Sequence, residues 1–329
     1  MLAFVYHKPS LNIYMTINCY LCGSEKLKVV RTELRHGVKR KVFRCVNCSL
    51  VFLEEKKKNL QKYYATEYRK HFTPVIGKAA SSKDIFDVYA PVMASRLARV
   101  KKYLGKNKRV LDVGCSAGHF LATIKPYVKE CVGLEFNLDN AKYVRKNLGI
   151  KVYTDPIEKT DLPKKHFDVI FCLQTFEHIA DPLLFLKSLK PYLKERGIVY
   201  FEVPNLLEAT LSIYQNKAYD DFYWREAHLF YYNPTTFARV MKKAGYRGKV
   251  LPFQWYNFIN QMHWILANAP QASGFDGLKE PMLITSASTK PAMRKAFNEW
   301  IKKADKEYKA LLEKHMVSDQ MVFIGRPKV

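Results

Sequence analysis

Glycine is scarce in this 329-residue chain, at 14 residues, so any glycine cluster carries more information than usual. No run of 18 or more apolar residues occurs, which excludes a transmembrane helix of ordinary composition. The opening MLAFVYHKPSLNIYMTIN has no basic start, no compact apolar stretch and no small-residue cleavage site, so it does not read as a signal peptide. Internal repeats and low-complexity tracts are absent as well. Together these absences predict a cytoplasmic protein. Acidic side chains are also few: 30 Asp+Glu stand against 55 Lys+Arg, a net charge of +25. That excess favours an anionic partner, whether nucleic acid, a phosphorylated substrate or a membrane surface.

What is present is enough for a buried core. Apolar residues make up 48% and aromatics 14%, which excludes disordered and fibrous classes. Single cores stop growing near roughly 250–300 residues, so the length predicts about two domains. The charge is uneven, with net +11 in residues 1–80 and +7 in each of 81–205 and 206–329. Met15 is an alternative start, which would make residues 1–14 a loose extension.

The seven cysteines separate into two groups. Cys19-x-x-Cys22 and Cys45-x-x-Cys48 form two pairs in a long chain expected to be cytosolic, a context that favours metal over disulfides. Each short turn places two sulfurs on one side of the backbone, and two turns complete a closed tetrahedral set for structural Zn2+. Between them, Lys26–Glu33 and Val38–Phe43 read as strands around an Arg35–Gly37 turn, with Ser49–Leu53 as a third. That is a four-cysteine zinc-ribbon pattern, expected over residues 15–75. Cys115, Cys131 and Cys172 lie in or beside apolar runs and read as small buried hydrophobes.

Beyond it, apolar positions at helical spacing predict a helix over 81–105, with Gly105 as its stop. Arg109–Val113 then reads as a strand, Gly114–Gly118 as a tight turn and His119–Pro126 as the start of a helix, the first unit of a doubly wound sheet. Glu135 closes the next apolar run, where a carboxylate can accept from two ribose hydroxyls. Strands at Val152–Thr154, Phe167–Leu173 and Ile198–Val203 alternate with helices, which predicts a mostly parallel sheet with ligands at its carboxyl ends. A nicotinamide-dependent oxidoreductase would call for GxGxxG; this chain has Ser116 and Leu121 where two of the small residues would be.

The segments VLDVGCSAGHFL, CVGLEFN, FDVIFCLQTFEHIADP and GIVYFEVPN together resemble class I S-adenosylmethionine (SAM)-dependent methyltransferases, over roughly residues 85–250. The resemblance implies a seven-stranded Rossmann-like sheet with SAM as cofactor. It places Asp112 and Gln174 near the methionine end of SAM, Glu135 on the ribose and Phe136 on the adenine. Gly114 and Gly118 would admit the backbone close to the cofactor, and Ser116 stands where many members have a further glycine.

Methyl transfer to a hydroxyl needs a base within hydrogen-bond reach of the acceptor. Two segments offer one: Glu177-His178 after the Phe167–Leu173 strand, and Phe222–Pro234, dense in aromatic and polar groups. The second is similar to a segment of sugar methyltransferases in which a histidine lies beside the acceptor. On that resemblance His228 is expected as base, with Tyr223 and Glu226 as acceptor contacts and His178 as the other candidate. Pro234–Gly245 reads as a helix, and Lys290–Met316 as a longer one. Gln254–Trp264 suits stacking on sugars or bases, or one buried helix face. Met321–Gly325 is expected as a closing edge strand.

The expected whole is an α/β chain: a 15–75 ribbon, an 81–250 SAM-binding core and a 251–329 helical acceptor region. Its function would be O-methylation of a nucleotide-linked or polysaccharide sugar. Zinc-ribbon RNA methylation, sugar C-methylation and a non-catalytic SAM-fold subunit are the alternatives.

Overall fold

The computed structural model describes residues 17–54 and 80–328; the expected 1–14 extension and the 55–75 end of the ribbon lie outside them. Near the N-terminus β1 (Leu27–Leu34) and β2 (Val38–Cys45) pair antiparallel around the Arg35–Gly37 tip, and β3 (Val51–Leu53) pairs with β2. The expected 81–105 helix is two helices, α1 (Ser82–Tyr89) and α2 (Met93–Val100), joined by a 3-10 turn at Ala90–Val92. Pro91 is the reason, since its ring lacks the N–H and clashes with a preceding carbonyl in a helix interior. Ser81 and Asp84 cap α1 reciprocally. Gly105 does not stop a helix; it opens β4 (Gly105–Val113).

The alternation then proceeds as α3 (His119–Ile124), β5 (Val128–Leu134), α4 (Leu138–Tyr143), β6 (Lys151–Tyr153), β7 (Phe167–Leu173), α5 (Pro182–Leu189) and β8 (Leu193–Pro204). After it come α6 (Ala209–Ser212), α7 (Lys217–Tyr223), β9 (Phe230–Tyr231), α8 (Pro234–Lys243), β10 (Tyr246–Phe253), α9 (Phe258–Ala267), α10 (Pro291–Lys314) and β11 (Gln320–Pro327). The main sheet has the order β10-β11-β8-β7-β4-β5-β6, parallel from β6 to β8 and antiparallel at β11. This is the seven-stranded, mostly parallel Rossmann-like fold.

The central strands read as unbroken apolar runs because both faces are covered. In β7, Val169 and Phe171 pack on one face while Ile170 and Cys172 pack on the other. β11 is not the expected edge strand. It lies between β8 and β10, with Met321, Val322 and Phe323 all buried. β10 takes the edge instead, and its exposed Arg247, Gly248 and Lys249 suit a strand with one unpaired side.

The ribbon is joined to the core by more than the chain. β9 pairs with β3, giving a second sheet of order β1-β2-β3-β9. Arg31 ion-pairs with Asp220 and Asp221 of α7, and the Arg35 amide donates to Trp224 O at 2.8 Å. One buried cluster runs from Cys45 and Phe52 through Phe230 and Tyr232 to Phe176 and Phe201. Among the described residues no helix is long and apolar enough to cross a membrane.

Candidate active site

A cavity of about 780 Å³ opens at the carboxyl ends of β4, β5 and β7, where a parallel sheet places its ligands. The β4–α3 turn forms one side. Gly114 and Gly118 both have left-handed backbones, with φ of 79° and 78°. A Cβ on Gly114 would stand 2.3 Å from Thr175 Oγ1, and one on Gly118 would stand 2.7 Å from Val144. Gly114 thus keeps the wall thin, whereas Gly118 admits the helix that follows β5. Ser116 and Gln174 are non-glycine residues in the same left-handed region, each with φ 52°, and both line the cavity. Strained backbone of this kind concentrates at functional sites.

Glu135 is oriented by two amides: Ser116 N–H donates to Oε2 at 2.7 Å and Asn137 N–H to Oε1 at 2.8 Å. A carboxylate has about four acceptor sites, so those amides and a pair of ribose hydroxyls can share it. Asp112 is 3% exposed and its Oδ1 is buried without a hydrogen-bond partner. Burial pushes its carboxyl up to about 7, Arg96 opposing and Glu135 adding to the rise. Phe136 lies half-buried in the wall. An orphaned acceptor, a thin glycine wall and an oriented carboxylate fit SAM. Gln174 is less open: its amide nitrogen donates to Gln320 Oε1 at 2.7 Å and to Glu202 Oε1 at 3.2 Å.

The other side of the cavity holds Glu177, His178 and His228, brought together from the β7–α5 turn and the segment before β9. His178 Nδ1 lies 2.8 Å from Ala227 O; a carbonyl only accepts, so Nδ1 carries the proton and Nε2 is the basic nitrogen. Its ring meets that of His228 edge to face, 5.0 Å between centroids. Burial holds His228 well below the ordinary histidine value, and the charges of His178 and Arg225 add to this, so the ring is a neutral base at neutral pH. Burial pushes the Glu177 carboxyl up to about 8. Tyr223 faces the cavity with its hydroxyl buried and unpaired. Glu226 does not line the cavity; its carboxylate sits 3.8 Å from the Arg40 guanidinium on β2.

The four ribbon thiols converge away from this site. Cys19 and Cys48 sulfurs lie 3.4 Å apart, Cys22 and Cys45 sulfurs 3.5 Å apart, and all four fall within 4.8 Å of one another. Tetrahedral bonds of ~2.3 Å to one Zn2+ put sulfurs ~3.8 Å apart, so the set fits zinc.

One cavity residue carried no local signal, and three come from the segments singled out at 222–234 and 254–264. Arg35 reaches the wall from the ribbon tip, and Arg225, Trp255 and Tyr256 join it. Asp319 accepts the amides of Trp255 and Tyr256 at 2.8 and 2.7 Å, fixing that loop from beneath. In the aromatic and amide segment 254–264, Trp255, Tyr256 and Trp264 line the cavity, while Gln254 and Gln261 are buried.

The profile of a family described as "Methyltransferase domain" matches residues 87–249. "Ubiquinone biosynthesis O-methyltransferase" of Actinobacillus pleuropneumoniae serotype 5b is 31% identical over 108 residues, covering 30% of this chain and 46% of that protein. The Histophilus somni protein of the same name is 30% identical, covering 30% and 45%. The chain therefore spans about half the length of the curated relatives it matches. A SAM-dependent methyltransferase structure from Archaeoglobus fulgidus is 21% identical with a TM-score of 0.46, covering 72% of this chain and 93% of that one.

Proposed function

We propose that this chain, whose residues 87–249 match a family described as "Methyltransferase domain", is a SAM-dependent enzyme that methylates a hydroxyl of a sugar, nucleotide-linked or part of a polysaccharide. The observation that carries the reading is one continuous cavity with the Asp112–Glu135 turn on one side and a neutral His228 on the other. Bound SAM supplies an electrophilic methyl group on a sulfonium. The chain's own residues do the rest. Glu135 would hold its ribose, Phe136 would pack on its adenine, and Asp112 and Gln174 would orient its methionine end. Apolar and aromatic walls exclude water around the acceptor. His228 takes the hydroxyl proton on its ring nitrogen, with His178 fixing that ring from the side. Tyr223 directs its hydroxyl to the acceptor.

The O-methyltransferase relatives favour oxygen over carbon as the methylated atom. Trp255, Tyr256 and Trp264 offer the flat surfaces on which sugar rings stack. The ribbon binds one structural Zn2+ through Cys19, Cys22, Cys45 and Cys48. Incubation with methyl-labelled SAM and separate panels of nucleotide sugars, glycans and RNA tests the acceptor. Label in a sugar hydroxyl supports the reading; label in RNA alone, or on a sugar carbon, overturns it.

A further inference from the structure

The ribbon tip contributes a charged side chain to the cavity wall, and no role in SAM binding accounts for it. Arg35 is half-buried there, with its guanidinium carbon 3.6 Å above the Phe222 ring. Arg225 approaches the same ring at 5.6 Å and also lines the cavity. Among the described residues neither guanidinium has a carboxylate within ion-pair distance, although Arg31 and Arg40 nearby are both paired. Two like charges face one space, so burial and Arg225 together pull the Arg35 guanidinium down to about 10. Tyr256 shares the space and is the third group in that electrostatic contact.

Such a pair is costly alone and favourable around an anion. Each guanidinium is planar and presents several N–H groups in a fork matched to oxyanions, and the Phe222 ring fixes the plane of the nearer one. A single carboxylate neutralises one arginine. A phosphate monoester or diphosphate carries about two charges and enough oxygens for both forks. Arg225 is also tied to the base through the backbone, its carbonyl accepting from the His228 amide at 3.1 Å. The anion would therefore lie between the reacting hydroxyl and the ribbon.

We propose that Arg35 and Arg225 form a clamp for a phosphate or diphosphate group on the acceptor, so that the ribbon hairpin supplies part of acceptor recognition. The proposal rests on the methyltransferase reading for its acceptor and on the two arginines alone for its anion. It gives the ribbon a part in the active site as well as in the fold.

The test is titration of inorganic pyrophosphate into the full-length protein saturated with S-adenosylhomocysteine, followed by calorimetry or by the fluorescence of Trp255 and Trp264. Arg35→Gln and Arg225→Gln should each weaken pyrophosphate about tenfold or more, with Arg35→Lys and Arg225→Lys recovering part of the loss. Affinity for S-adenosylhomocysteine should change less than about twofold, which also certifies the fold of each variant. Lys249→Gln, exposed on the β10 edge, should leave pyrophosphate binding unchanged. Equal pyrophosphate affinity in the arginine variants, an equal loss in Lys249→Gln, or tighter binding of malonate than of pyrophosphate overturns the clamp. Absence of S-adenosylhomocysteine binding by the unaltered protein would refute the methyltransferase reading instead, and pyrophosphate titration without it still decides the clamp.

Discussion

His178 and His228 stand edge to face with their ring centroids 5.0 Å apart, and the backbone carbonyl just before His228 fixes the proton of His178. One histidine is thereby locked in a tautomer, and the other is kept neutral by burial beside it.

Replacement of His228 by Gln should lower methyl-transfer kcat about 10²–10⁴-fold, the range ascribed to a positioned base, with SAM affinity unchanged. Because its pKa is depressed, the basic form persists below the ordinary histidine range. The rate should stay level through neutrality and fall only in acid. An acid limb centred at or above about 6.5 in the pH–rate profile would show that another group is the base.

Glu135→Ala should weaken SAM by at least about tenfold in calorimetry, since it removes both a ribose partner and the acceptor for the Ser116 and Asn137 amides. Glu135→Gln keeps one oxygen acceptor and should lose less. Equal affinities in both variants would place the ribose elsewhere.

Gly114→Ala should lower stability by about 1–3 kcal/mol and abolish SAM binding, because the new methyl enters the space of Thr175 on a left-handed backbone. Thermal unfolding with and without SAM checks both effects. Unchanged melting would mean the turn is more adaptable than its contacts imply.

Among the described residues, four fully buried carboxyls are raised: Asp112 and Asp319 to about 7, Glu177 and Glu208 to about 8. The folded chain therefore holds protons that the unfolded chain has lost, between the ordinary carboxylate pKa near 4 and these values. Stability should fall as pH rises from about 5 to 8 in the absence of ligand. Asp112→Asn should raise the melting temperature at pH 8, by on the order of 2 kcal/mol in stability, while weakening SAM. A melting temperature that climbs steadily over that interval would contradict the assignment.

Purified protein should contain about one zinc per chain. Chelation or Cys48→Ser should lower the melting temperature of the whole protein in a single transition, because the ribbon and core share one apolar cluster. A separate low-temperature transition of the ribbon alone, seen by calorimetry, would contradict this coupling.

Much of the scaffold was legible in the residues. β7 spans Phe167–Leu173 as read, and Cys115, Cys131 and Cys172 are buried as expected. The order of the last strands was not legible, because an apolar run such as Met321–Ile324 reads alike at an edge or in an interior; pairing partners decide it. The break at Pro91 was visible in principle, though the helical spacing on either side masks it. Ser116 is a mild replacement for glycine on size alone, yet its φ of 52° makes it a backbone exception as well. Glu226 and Glu177 illustrate the limit for the site. The resemblance implies the first as an acceptor contact, but its carboxylate lies beside Arg40 and the second lines the cavity. Arg35 could not be found locally, since a turn residue enters a remote cavity only through the tertiary contacts of its hairpin.

The joining of β3 to β9 also governs when this chain can finish folding. Arg31 and Asp220 are 189 residues apart, and the strand pairing beside them is similarly remote. During synthesis the cysteine hairpin emerges before β9 and must wait for that strand before its outer edge is covered. Contacts of such sequence separation slow folding. A metal ion held by the four converging thiols would keep that waiting hairpin in register.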